Sequence, residues 1–236
     1  MNIRPYEPRD RAAVREICCD TADSGKPVES FFPDREVFAD LLTRYYTDTE
    51  PQSAFVAETD GQVIGYIIGA HDTRRFQRTM TWRIAPAAVL KALARGLLWH
   101  PQVRALLWAN RDAVFRFAAL TLGVSSNSAC SGHADAVPLT DYPAHLHINL
   151  RAGHRSQRIG DQLLSRWLDQ ARQRAVRGIH ASVNADNTGG CCFFEAMGFR
   201  ALSRQPRMRF PGRDRLLETI TYVLDLRSAS ETPELY

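Results

Sequence analysis

The segment between residues 144 and 199 constrains the fold most, because strand and helix signals alternate along it without interruption. Residues 145–150 alternate polar and apolar side chains, as a half-buried strand does. The next stretch carries apolar residues on one face of a helix: Ile159, Leu163, Leu164, Trp167, Leu168 and Ala171. Gly178 stands where a helix-terminating glycine belongs, and a second strand signal follows it. The order predicts a strand–helix–strand unit.

The turn between this strand and this helix is a candidate anion site. A strand that runs directly into a helix leaves several backbone N–H groups unpaired at the start of the helix, where the helix dipole also favours negative charge. Arg155 and Arg158 add positive charge at the same turn. An ordinary crossover with two solvated arginines gives the same pattern, so the turn alone leaves both interpretations open.

Two motifs in the segment resemble those of the GNAT acyltransferase superfamily. Arg155-x-x-Arg158-x-Gly160 resembles the pyrophosphate loop of that family, Q/R-x-x-G-x-G/A, with Arg158 in place of the first glycine. The second family motif is an asparagine, an aromatic pair and Gly-Phe, matched here by Asn187, Phe193-Phe194 and Gly198-Phe199. The order and separation of the two motifs make the resemblance specific.

Two shorter stretches resemble one branch of the superfamily, the acetyltransferase-like C-terminal region of O-GlcNAcase and its bacterial relatives. These stretches are residues 141–148, Asp-Tyr-Pro-Ala-His-Leu-His-Ile, and residues 71–76, His-Asp-Thr-Arg-Arg-Phe. Some members of that branch are suspected of lacking robust acetyltransferase activity.

The resemblance implies an α/β GNAT fold, in which a mixed, mostly antiparallel twisted sheet is flanked by helices. Signals over residues 1–70 agree with it: a strand, two helices, and a hairpin around Asp60-Gly61. Residues 71–143 depart from a minimal domain of the family and predict a helical insertion between strands 3 and 4. We therefore expect one domain over residues 1–227 and a disordered tail over residues 228–236.

The resemblance also implies acetyl-CoA as the acyl donor. Its pantetheine arm would lie along the backbone near Leu150, and its pyrophosphate would bind the loop amides up to Gly160. The residues implied to bind this cofactor are Leu150, Arg155, Ser156, Gln157, Arg158, Ile159, Gly160, Asn187 and Phe194. Arg158 either contacts a phosphate or weakens binding, and Asn187 either contacts the pantetheine arm or caps the following helix.

The implied reaction is direct attack of an amine on the thioester, which makes the chain an N-acetyltransferase. An alkylammonium with a pKa near 10.4 must first lose a proton, so a general base assists. His145 and His147 share one face of the predicted strand, and His147 is the first candidate for this base, followed by His145 and Asp141. A structural hydrogen bond is the alternative role for each histidine.

The acceptor is expected to be a small amine or an exposed amino group of a peptide. Asp23, Tyr66 and Tyr142 are the candidate acceptor-binding residues, and Asp23 is also a second-rank candidate for the base. The sequence does not identify the acceptor further.

Phe194 departs from the family pattern. Many members carry a tyrosine there, which protonates the departing thiolate, whereas phenylalanine donates no proton. General acid catalysis is typically worth about 10²–10⁴-fold. The alternative function is therefore a catalytically weak or inactive CoA-binding module whose basic helical insertion mediates partner or surface binding.

The insertion is strongly basic. From residue 71 to residue 120, nine Lys or Arg residues face two Asp residues, which gives a net charge of +7. A helical cap over the active site with solvated basic residues is the favoured interpretation. A partner-binding helix pair and a surface for anionic membranes are the alternatives.

Composition narrows the classes of partner, metal site and cellular location to expect. The net charge of +4 over 236 residues suits an anionic cofactor and gives no reason to expect nucleic acid. The five cysteines include no CxxC spacing, so we expect reduced thiols and no metal site. Because no apolar run reaches about 18 residues and no apolar leader begins the chain, a cytoplasmic location is expected. Exposed apolar insertion helices would favour a homodimer.

Overall fold

The computed structural model describes residues 1–111, 137–154, 157–208 and 217–227. Within these ranges seven strands form one sheet in the order β1-β2-β3-β4-β5-β7-β6. The strands are β1 (Asn2–Pro5), β2 (Ala54–Thr59), β3 (Gln62–Ala70), β4 (Ala144–Leu150), β5 (Gly178–Asn184), β6 (Arg200–Met208) and β7 (Leu217–Asp225). Every neighbouring pair is antiparallel except β4 and β5, which are parallel. The predicted mixed, mostly antiparallel sheet is confirmed.

Helices flank this sheet. They are α1 (Arg11–Asp20), α2 (Arg35–Arg44), α3 (Thr73–Thr79), α4 (Ala85–Ala94), α5 (Pro101–Ala109), α6 (Ile159–Gln173) and α7 (Thr188–Ala196). A π-helical turn at Tyr45–Thr49 extends α2, and a second one at Met80–Ile84 joins α3 to α4. Single 3₁₀ turns occur at Pro8–Asp10, Val28–Ser30, Pro51–Ser53, Leu97–Trp99 and Ala152–His154.

Helix α6 covers one face of the sheet. All of its predicted inward residues are buried, and they pack with strand residues such as Leu146 and Ile179 in one apolar cluster. The other face is covered by α1, by α2 and by the π turn after α2, whose Tyr46 is buried against Tyr66 and Ile68 of β3. The side chains of β4 alternate between these two layers, which places its polar residues on the side of α1 and α2.

Helices α3, α4 and α5 lie between β3 and β4, where the sequence predicts a helical insertion. Helices α4 and α5, with the turn between them, pack on α2 through a small apolar cluster of Ala88, Leu97 and Val103 with Val37. Helix α3 packs through Phe76 against the cluster that contains Tyr46. Residues 112–136 of the predicted insertion lie outside the described residues, as do residues 228–236, for which a disordered tail is expected.

The close contact between α6 and β3 depends on a glycine. A Cβ atom built on Gly69 would lie 2.5 Å from Cζ2 of Trp167 and 2.7 Å from the carbonyl oxygen of His145. The Trp167 side chain is fully buried, and its indole N–H donates to the carbonyl of Ser53 at 2.9 Å. The indole therefore has no room to move aside.

We predict that Gly69→Ala lowers the free energy of unfolding by about 1–3 kcal/mol, because overpacking displaces a fixed indole. Gly153→Ala is the matched control, since a Cβ atom there would meet nothing within 4 Å. Urea denaturation of both variants measures the difference. Equal stability of the two variants would contradict the role given to Gly69.

Candidate active site

An opening between β4 and β5 is the main feature of the candidate site. The two strands are paired only at Ala144 with Ile179 and at His145 with His180. Beyond these pairs β4 stays bonded to β3 as far as Leu150, while β5 follows β7. The two halves of the sheet therefore separate toward the carboxyl ends of β4 and β5.

The start of α6 follows the carboxyl end of β4. Of the predicted loop, Gln157 and Arg158 are exposed and Ile159 and Gly160 are buried. The other two loop residues named from the sequence, Arg155 and Ser156, lie outside the described residues. The first-turn amides of a helix have no partner within that helix, so this end of α6 suits an anion.

Arg158 stands where the family motif has its first glycine, and its backbone lies in a region that favours glycine. Its φ of +56° and ψ of +17° are left-handed, a region that glycine adopts without steric cost. The Arg158 side chain adds a positive charge at the amino end of α6.

Gly160 is small for a reason that the sequence did not reveal. A Cβ atom there would lie 3.0 Å from Cε2 of Phe193 in α7. The first turn of α6 thus packs against α7, whatever binds at its amides. The expectation that Gly160 lets a phosphate approach the backbone stays a prediction.

Asn187 caps α7. Its Oδ1 atom accepts a hydrogen bond from the backbone N–H of Gly190 at 3.0 Å. Of the two roles left open by the sequence, the cap is therefore present, and a contact between Asn187 and the pantetheine arm stays a prediction.

His145 is held at both ring nitrogens. The Tyr46 hydroxyl lies 2.7 Å from Nε2, and the Thr73 hydroxyl lies 2.8 Å from Nδ1. Burial holds the pKa of His145 well below its usual range, and the neighbouring His147 and His180 lower it further. The ring is therefore neutral, and its contacts join β4 to α2 and α3. Tyr46 was not named from the sequence, and Thr73 appeared there only within the stretch at residues 71–76, with no role assigned to it.

His147 and Asn149 continue the same face of β4 toward the opening. His147 is partly exposed, with its ring centroid 5.8 Å from that of Tyr46. Asn149 donates to the hydroxyl of Tyr66 at 2.7 Å. Tyr66 is fully buried, and burial raises its pKa well above 10.0. The predicted acceptor-binding Tyr66 is thus a buried support for Asn149.

Asp141 and Tyr142 lie at the opposite end of β4 from the loop. The Asp141 carboxylate is 3.4 Å from the Arg227 guanidinium. Tyr142 is buried, and its hydroxyl accepts from the Arg200 guanidinium at 2.8 Å. Both residues precede the paired end of β4, so the structure does not bring them together with the start of α6.

Asp23 lies in the turn after α1, near the carboxyl end of β4. The end of α1 meets that strand end through Asp20 and Arg151, whose charged atoms are 3.7 Å apart. The Asp23 carboxylate is buried and accepts from the Ser30 hydroxyl at 3.0 Å. This placement keeps Asp23 as a candidate for the acceptor side.

Phe194 is part of the core. Its ring packs edge-on against Phe199 at a centroid distance of 5.0 Å and is stacked on Tyr222 at 6.0 Å. The Tyr222 hydroxyl donates to the Glu195 carboxylate at 2.8 Å.

Within the described ranges, no group of three or more His, Cys, Asp or Glu residues is arranged to hold a metal ion. No helix in the same ranges is long and apolar enough to cross a membrane.

Comparisons with known proteins agree with this architecture. The sequence model described as "Acetyltransferase (GNAT) family" matches residues 90–199. The crystal structure of SsHAT is similar at 27% identity and a TM-score of 0.66, over 95% of this chain and 97% of that chain. The fold is also shared with yncA from Salmonella typhimurium, a putative acetyltransferase solved with acetyl-CoA, at 15% identity and a TM-score of 0.56, over 99% and 98% of the two chains. An N-acetyltransferase from Staphylococcus aureus Mu50 has 16% identity and a TM-score of 0.55, over 96% and 98%.

The buried histidines predict a pH dependence of stability. Burial lowers the pKa of both His145 and His180, so below about pH 6.5 the unfolded chain binds more protons than the native state. The contribution of these histidines to the free energy of unfolding is therefore constant above that pH, and it falls as the pH drops below it.

We expect His145→Asn to reduce the dependence of the free energy of unfolding on pH, below pH 6.5, by up to about 1.4 kcal/mol per pH unit. Urea denaturation between about pH 5 and 8 measures it, and the range above pH 7, where slopes should agree, is the internal control. Equal slopes below pH 6.5 would contradict the assignment.

Proposed function

We propose that this chain, as a member of the GNAT acetyltransferase superfamily, is an acetyl-CoA-dependent N-acetyltransferase that acts on an amine. The observation that carries this proposal is the separation of β4 from β5, with the amino end of α6 at the carboxyl end of β4. An extended ligand with an anionic end fits such an opening, because its chain meets a strand edge and its charge meets the helix amides.

The residues present fit acetyl-CoA. The backbone of β4 near Leu150 would hold the pantetheine arm, and the amides from Gln157 to Gly160 would hold the pyrophosphate. Arg158, exposed and left-handed at the first turn, adds a fixed charge to that end. Acetyl-CoA supplies an acetyl thioester whose carbonyl carbon takes the amine and whose sulfur leaves as a thiolate.

We assign the role of general base to His147. It lies on the polar face of β4 beyond the last pair with β5, and a neutral imidazole accepts a proton near neutral pH. His145 is better suited to positioning, since Tyr46 and Thr73 already occupy both of its ring nitrogens. Asp23, at the same end of the sheet, is proposed to attract a cationic acceptor. We assign no acceptor contact to Tyr66 or Tyr142.

A second candidate function is a CoA-binding module with weak or absent acyl transfer. Phe194 favours it, because a buried phenylalanine stands where many family members place a proton donor. A thiolate with a pKa near 8.5 needs less protonation than an alkoxide, so the missing donor lowers the expected rate without abolishing the reaction.

Calorimetric titration with acetyl-CoA tests the first step of both candidates. Arg158→Glu should weaken binding about tenfold or more, because a charge-assisted contact is replaced by repulsion at the helix start. Arg172→Glu, at the other end of α6, is the matched control and should bind as the wild type does. Absence of binding to folded wild-type protein, or equal losses in the two variants, would contradict the proposed cofactor site.

Acyl transfer to a panel of primary amines distinguishes the two candidates. With an accepted amine, His147→Gln should lower kcat/KM about 10²–10⁴-fold and remove the acidic limb of the pH profile. His100→Gln, in the insertion, is the control histidine. An unchanged pH profile in His147→Gln would contradict the assigned base. If the wild type binds acetyl-CoA but transfers acetyl to no amine, and Phe194→Tyr gains that transfer, the second candidate is supported.

A further inference from the structure

An apolar stripe is exposed along the insertion helices. Val89, Leu90 and Leu93 share one face of α4, because Leu93 is three and four residues from the other two, and Trp82 is exposed on the π turn that precedes α4. Leu98, Trp99, Leu107 and Trp108 extend this surface onto the following turn and α5, and these eight residues are called the insertion stripe below. Trp82 is 65% exposed, Leu90 67% and Trp99 82%. Large apolar side chains exposed this close together along the chain are typical of an interaction surface.

The insertion stripe is not the face by which the insertion packs on the rest of the protein. The opposite face of the insertion packs on α2 through Ala88, Leu97 and Val103. Three ion pairs fix it there: Lys91 with Asp40 at 2.7 Å and with Glu36 at 3.2 Å, and Arg95 with Asp34 at 2.5 Å. Ala88, Leu97 and Val103 thus face the protein, whereas the residues of the insertion stripe face outward.

Positive charge accompanies the stripe. Residues 71–111 contain eight Lys or Arg residues and a single acid, Asp72, a net charge of +7 in a chain whose total is +4. Five of these arginines form no ion pair with any described residue: Arg74, Arg75, Arg78, Arg83 and Arg104. All five are exposed.

We propose that the insertion stripe and its arginines dock on an anionic phospholipid bilayer. A bilayer offers both required components, since anionic headgroups attract arginine and the interface accommodates tryptophan and leucine. A second copy of the chain would bring two segments of charge +7 together, which opposes docking. Duplex nucleic acid would match the arginines but would leave the apolar residues without a partner. This inference is independent of the proposed acyl transfer.

The tryptophans provide a direct readout. Three of the four tryptophans in the chain lie on the stripe, and the fourth, Trp167, is fully buried. We expect the full-length protein to sediment with phosphatidylglycerol-containing vesicles at low salt but not with phosphatidylcholine vesicles. Binding should shift the tryptophan emission to shorter wavelength and should weaken as salt screens the arginines.

Two sets of variants separate the apolar and charged contributions. Arg74→Gln/Arg78→Gln/Arg83→Gln should weaken vesicle binding on the order of 100-fold, since each basic residue near the bilayer is worth about fivefold. Trp82→Ser/Leu90→Ser should weaken it as well, while Trp99 and Trp108 remain as reporters. Arg9→Gln/Arg174→Gln/Arg177→Gln removes the same charge from exposed positions outside the insertion and should bind as the wild type does.

Several outcomes would overturn the proposal. These are the absence of sedimentation with anionic vesicles at low salt, binding without an emission shift, or an equal loss in the Arg9, Arg174 and Arg177 control. A dimer that Trp82→Ser/Leu90→Ser dissociates, without vesicle binding, would make the stripe a contact between copies. Retention of duplex DNA or of an acidic protein, again without vesicle binding, would assign the surface to that partner.

Discussion

The packing of Trp167 against Gly69 fixes α6 on the sheet, and the candidate site depends on this contact. The indole is bounded by the glycine on β3, by the hydrogen bond to Ser53 and by the ring of His71, which stacks on it at 5.3 Å. Since a helix rises about 1.5 Å per residue as a rigid rod, holding Trp167 also sets where its first turn lies. The amides that suit an anion are thereby placed at the carboxyl end of β4.

Strand β4 is bound unequally on its two sides. It pairs with β3 along most of its length but with β5 at only two positions, so its polar face opens beyond His145. His145 joins this face to the helical layer through Tyr46 and Thr73 and stays neutral because it is buried. His147, the next residue on that face, is the proposed base because it lies where the strands have separated.

The insertion divides its side chains in an unusual way. Ala88, Leu97 and Val103 pack on α2, whereas the insertion stripe, which includes the three tryptophans of the insertion, faces outward among arginines. This arrangement stabilises the attachment to the domain while leaving a basic, apolar surface available. The candidate active site and this surface draw on different residues, so the two proposals stand or fail separately.

The sequence by itself determined the local features: the strand–helix–strand order, the inward face of α6, the hairpin and the two motifs. These depend on backbone sterics and on side-chain spacing within a few residues. Only the tertiary structure decided the partners. Tyr46 and Thr73 lie 99 and 72 residues from His145 along the chain, and no local pattern links them. Likewise, the sequence predicted helices in the insertion but not which of their apolar residues face outward, because that choice is made by the packing of distant segments.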